Sequence, residues 1–257
     1  MTETLVDLLD LVQSLLWQGF VTFLRIGPMM TLLPAFGEQS VPMRVKLALG
    51  LCFTMIVAPA APAALTTPET GVPALLLAET VVGLTIGIGI RMFVMALQTA
   101  GSIAAQATSL AQIFGGAASE PMPAMGHVLV VAGLALAVMS GLHVRVAELM
   151  IWSYEVLPLG RFPAPSAMSD WGVQQIARAF SLAFTLAAPF VIVSVLYNLT
   201  LGVINRAMPQ LMVAFVGAPV ITAGGLSLLF LMAPLMLSRW HDALVLFLAN
   251  PFAGTGP

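Results

Sequence analysis

The sequence predicts an all-α, polytopic membrane-type protein, and three observations carry that prediction. First, 60% of the 257 residues are hydrophobic and only 8% are charged, whereas soluble domains carry about a quarter charged residues. Second, the apolar residues fall into about six runs, each long enough to approach the ~20 residues that a bilayer core demands of one helix. Third, clusters of proline and glycine separate the runs, where a helix has to stop or bend. No linker divides the chain, and no repeat or low-complexity tract appears, so a single unit over 1–257 is expected.

The first run extends from about Leu8 to Leu33, interrupted only by Asp10 and Arg25, and ends in the turn-rich stretch Pro34–Pro42. The second runs from about Val45 to Ala64 and stops among Pro59, Pro62, Pro68 and Pro73. The third begins near Val72 and meets no breaker until Gly115-Gly116, so it is one long helix or two pieces. Within it, Gly83-Leu-Thr-Ile-Gly87 is a small-residue spacing that lets helix backbones approach closely. The fourth run spans about Met125–Leu157, followed by a proline-rich connector and Trp171, a residue suited to an interfacial belt. The fifth and sixth, about Val173–Val203 and Leu211–Leu248, contain Pro189, Pro219 and Pro234, where kinks or breaks are expected.

Charge is sparse but placed informatively. The net charge of −2 supplies no basic field for nucleic acid. Arg44, Lys46 and Arg206 place their loops in the cytoplasm, which puts the acidic N-terminus and Glu69 outside, although Arg161 votes the other way. That acidic start does not look like a cleavable signal peptide. Arg25, Glu79, Arg91, Arg145, Glu148 and Arg178 lie within apolar runs, where a lone charge costs about 2.5–3.5 kcal/mol to insert. They read either as an ion or proton path or as interhelical pairs, such as Arg25 with Glu79 or Glu148.

No catalytic, metal or cofactor constellation is recognisable. His127, His143 and His241 are isolated, no nucleotide-binding loop occurs, and the single Cys52 reads as a small hydrophobe. The segment Ile113–Met125, with Gly115-Gly116 at one end and Pro121, Met122 and Pro123 at the other, carries one charge and several pliable apolar side chains. A plain connecting loop is one reading. A constriction that seals a pore without binding tightly is the other.

Three stretches together resemble the FliR family of flagellar export proteins, called SctT in injectisome type III secretion. One is Phe23-Leu-Arg25 through Pro34-Ala-Phe36-Gly37 to Pro42-Met-Arg44-Val-Lys46. The second is Asn205-Arg206-Ala-Met-Pro209-Gln210, and the third is the central loop Ala104–Met125. The chain departs from the flagellar pattern after Gln210, with Leu211-Met-Val-Ala214, and at Ile221 where the family often has lysine. The Pro209-Gln210 pair favours the flagellar branch.

The resemblance implies an export gate in the inner membrane at the flagellar basal body, through which unfolded proteins pass. It implies FliP-like and FliQ-like partner subunits, and a FlhB-like protein at the cytoplasmic mouth. It implies long helices arranged as hairpins, with a FliP-like part over about 1–172 and a FliQ-like hairpin over about 173–257. Phe114, Gly115, Gly116, Met122 and Met125 would belong to a plug, and Asn205, Arg206, Pro209 and Gln210 to the cytoplasmic hairpin tip. A transporter or channel for small solutes, with Arg25, Glu79 and Glu148 along its path, is the competing expectation.

Overall fold

The computed structural model describes residues 2–61, 71–108, 124–208 and 213–252. Seven α-helices occur among them, and no strand: α1 (Thr2–Leu32), α2 (Met43–Val57), α3 (Val72–Thr108), α4 (Ala124–Met139), α5 (Leu142–Val156), α6 (Pro165–Ala207) and α7 (Val213–Ala249). The all-α expectation holds, while the count of six segments changes. The third run is a single helix of 37 residues. The fourth divides into α4 and α5, which meet at a 69° bend.

Chain chemistry explains that break. Gly141 sits at φ +84°, a left-handed conformation that costs a side-chain-bearing residue ~1–2 kcal/mol. Among the described residues, four helical stretches are long and apolar enough to cross a membrane, or five if the bent α4–α5 pair counts as one. The first run is not among them, since Asp7, Asp10, Gln13, Gln18 and Arg25 dilute α1. Helix α6 continues through Pro189 over 43 residues, and α7 spans both Pro219 and Pro234. The expected breaks therefore leave both helices continuous.

The chain forms two compact units, each discontinuous in sequence. The first comprises Met1–Arg91, Ala137–Gln175 and Leu244–Pro257. In it, α2 ends in a 3-10 turn at Ala58–Ala60. Gln18 of α1 donates from Nε2 to the Ala58 carbonyl at 2.6 Å, adding to the longer bond from the Ala61 amide at 3.3 Å. The C-terminal end of α7 is held by an aromatic group in the same unit. Trp171 donates from Nε1 to the Pro251 carbonyl at 2.8 Å, and Phe252 lies against Trp171 and Trp152. Trp171 is thus a buried packing residue rather than an interfacial anchor; its one polar atom finds a backbone partner inside the fold.

The second unit comprises Met92–Leu136 and Ile176–Ala243. Among the described residues Trp240 is its largest fully buried side chain, with Nε1 donating to the Phe93 carbonyl at 2.8 Å. Helices α3 and α4 cross at Gly101 and Gly126, where a Cβ on Gly101 would collide with the Gly126 backbone. Ser194 of α6 donates to the Ala107 carbonyl in the last turn of α3, and accepts a bond from Asn198.

Candidate functional site

Within the first unit, two of the helix-borne charges meet. Arg25, about two turns before the end of α1, and Glu79, in the second turn of α3, are both fully buried. Arg25 Nε donates to Glu79 Oε2 at 2.7 Å and Nη2 donates to Oε1 at 3.1 Å, the two-pronged geometry that a planar guanidinium offers a carboxylate. Nη1 donates to Ser153 Oγ on α5 at 3.0 Å, and Nη2 also donates to the Leu157 carbonyl at 3.0 Å. Glu79 Oε1 in turn accepts the Gly160 amide at 2.9 Å. The guanidinium carbon lies 3.8 Å from the centre of the Tyr154 ring, a cation–π contact of about 2 kcal/mol where water is excluded.

One ion pair therefore binds α1, α3, α5 and the connector after α5. The approach of α1 to α3 that permits it comes from glycine. Gly83 is one turn after Glu79, and a Cβ there would run into the Arg25 carbonyl; at Gly87 it would press on Leu32 and Met29. The Gly83/Gly87 spacing is a helix contact, and its purpose is to bring the two charges within bonding distance.

A second pair organises the loop between α1 and α2. Arg91 of α3 binds the Glu38 carboxylate through Nη1, and Nη2 lies 3.3 Å from Glu38 Oε2. Lys46 Nζ donates to the Gly37 carbonyl at 2.9 Å. Gly37 donates its amide to the Leu33 carbonyl, and any side chain there would strike the Met30 and Thr31 carbonyls. Pro34 is buried, Phe36 half-buried, and Pro42 and Arg44 exposed. Pro42 stands as N-cap of α2, and its carbonyl accepts the amides of Val45 and Lys46.

The remaining sequence candidates fall elsewhere. Glu148 and Arg145 are exposed on α5, so Glu148 is not the partner of Arg25, and the proposed trio of Arg25, Glu79 and Glu148 does not assemble. Arg178 is exposed on α6, and Asn205 and Arg206 are exposed in its last turn. Arg206 there complements the negative helix end. Met125 is half-buried in the first turn of α4. Phe114, Gly115, Gly116, Met122, Pro209 and Gln210 lie outside the described residues. Glu38, Ser153, Tyr154 and Gly160 were not singled out by the sequence. Glu38 had a signal, as the one carboxylate in the turn-rich stretch. The other three had none, because only the fold brings the 153–160 segment to Arg25.

The profile of a family described as "Bacterial export proteins, family 1" matches residues 16–246. The chain is 32% identical over 227 residues to the flagellar biosynthetic protein FliR of Caulobacter vibrioides, covering 86% of this chain and 90% of that one.

The chain belongs to this export family, the FliR family.

FliR of Escherichia coli is 30% identical over 225 residues, 84% of each chain, and FliR of Bacillus subtilis is 27% identical over 216 residues. Membership makes the chain a component of the flagellar export apparatus. The FliR-like signature from Arg25 to Lys46 thus corresponds to the packed loop and ion-pair node described above.

Proposed function

We propose that this chain is a structural and gating subunit of the flagellar type III export channel, assembled with FliP-like and FliQ-like subunits in the inner membrane. Unfolded flagellar proteins pass through that channel, and a FlhB-like protein sits at its cytoplasmic mouth. The observation that carries the reading is the extent of the likeness: FliR-family similarity runs along most of the chain, rather than through one motif. In this reading, residues of about 1–172 form the FliP-like part and about 173–257 the FliQ-like hairpin, with its tip at Asn205–Gln210.

Two physical features support it. The Arg25–Glu79 pair is fully buried and bound by three further groups, Ser153, the Leu157 carbonyl and the Gly160 amide, which suits a fixed brace. A solute pathway needs its charged groups accessible to solvent. In addition, α6 exposes Val191, Ile192, Val195, Leu196 and Leu199, an apolar face broad enough to be covered by neighbouring helices.

The test is mild-detergent affinity purification followed by native mass spectrometry. The expected result is a multi-chain particle containing FliP-like and FliQ-like chains. A lone monomer or homodimer would overturn the proposal.

A further inference from the structure

A pocket of about 280 Å³ in the first unit is formed by the connector after α5, the start of α6 and Phe252 beyond α7. Phe162, Pro163, Met168, Trp171 and Phe252 supply apolar walls, and among the described residues Arg161 is the one charged side chain that lines it. Trp171 commits its only polar side-chain atom to the Pro251 carbonyl, so its ring offers the pocket hydrocarbon alone. The volume falls just short of the about 300–1,000 Å³ typical of small-molecule sites, and suits one large side chain.

The connector that carries Arg161 and Phe162 is held by the buried ion pair. The Leu157 carbonyl accepts from Arg25, and the Gly160 amide donates to Glu79. Gly160 holds φ +73°, and the Arg161 amide donates to the Pro158 carbonyl at 3.3 Å. With that backbone bonded inward, the next two side chains stand at the surface. Phe162 is 54% exposed. Arg161 is exposed too, and its guanidinium has no hydrogen-bond or ion-pair partner among the described residues. Glu155 and Asp170, the carboxylates nearest in sequence, are exposed and do not line the pocket. An open aromatic ring beside an uncompensated arginine, over a preformed apolar pocket, has the composition of a recognition hot spot. A rim already fixed by the fold lowers the ordering cost of binding.

We propose that this pocket recognises an acidic–apolar segment of a partner polypeptide. The segment inserts one aromatic or branched aliphatic side chain against Met168, Trp171 and Phe252, and sets a neighbouring carboxylate on Arg161. Charge complementarity fixes the sign of the partner, since a lining with one cation and no carboxylate repels a basic segment. The site stands apart from the export-channel reading, because it requires neither the plug nor any particular subunit.

The test uses the full chain in neutral detergent and a capped tetrapeptide amide, glycyl–p-benzoylphenylalanyl–aspartyl–glycine, whose benzophenone ring cross-links on illumination. Peptide mapping by mass spectrometry should concentrate the cross-links on residues 156–171. Replacing the aspartate of the probe by asparagine should lower labelling about three- to fivefold, as for an exposed ion pair. In Arg161→Gln the two probes should label equally, at the lower level, and Arg161→Lys should restore most of the difference. Circular dichroism reports whether the Gln variant is folded; if it is not, the wild-type comparison of the two probes carries the test alone. Labelling that ignores the aspartate, that persists unchanged in folded Arg161→Gln, or that spreads over the exposed faces of α6 and α7 would each overturn the proposal.

Discussion

Arg25 is the residue on which the first unit turns, and its energetics follow from its surroundings. An ion pair taken fully out of water gains little net stability, yet removing one partner strands the other and costs about 3–5 kcal/mol. Arg25→Ala should therefore lower the yield of folded, assembled protein severely, as read by size-exclusion chromatography of detergent extracts. Glu79→Gln should do nearly as much damage, since Arg25 keeps its charge. Replacing both, as Arg25→Met with Glu79→Met, should restore only part of the yield. The Leu157 carbonyl and the Gly160 amide lose their partners in that variant, at about 1–3 kcal/mol each, while Ser153 keeps its bond to the Met150 carbonyl. Full recovery in the double variant would show that the connector bonds contribute nothing. Tyr154→Phe, which keeps the ring beneath the guanidinium, should be tolerated far better than Tyr154→Ala.

At the scale of helices and loops, glycine decides which elements meet. Gly83→Ala puts a methyl group against the Arg25 backbone, and backbone cannot swing aside as a flexible side chain can, so α1 must move and the ion pair with it. Gly19→Ala on α1 meets nothing within 4 Å and should gain ~0.5–1 kcal/mol as a helix-interior Gly-to-Ala change. Thermal unfolding in detergent should therefore fall for Gly83→Ala and hold or rise for Gly19→Ala. Gly141→Ala should also destabilise, by roughly 1–2 kcal/mol, through its left-handed backbone. The sequence made the helices legible, because composition and breaker residues act locally. It made Gly83/Gly87 legible as a close-approach spacing, but not what approached. The sequence does not mark the α4–α5 bend, because no proline stands there and Gly141, beside Ser140, reads as one more small residue in the run. Lys46 illustrates a different limit: read as a topological vote for the cytoplasm, it spends its ammonium on the Gly37 carbonyl, so its position owes at least as much to folding that loop.

On the scale of the whole molecule, the central loop is where the proposed gate makes its sharpest demand. Helix α3 ends at Thr108 and α4 begins at Ala124, and the two cross at Gly101 and Gly126, with Ser194 holding the last turn of α3. The ends of the loop are thus anchored within the second unit by contacts that do not involve the loop itself. Deleting Gly115–Pro123 leaves six residues, 109–114, to join the helices. At ~3.3 Å per extended residue they can reach about 20 Å. Helix α3 continues seven residues beyond the Gly101 crossing, roughly 10 Å, so the shortened loop still has length to return to α4. Assembly should therefore survive the deletion, with the same subunits in the purified particle. If Phe114, Met122 and their neighbours seal the channel, membranes carrying the deletion should leak small solutes that wild-type membranes retain, measured as growth sensitivity or dye entry at matched expression. Unchanged permeability with intact assembly would remove these residues from the seal while leaving the subunit's place in the export apparatus untouched.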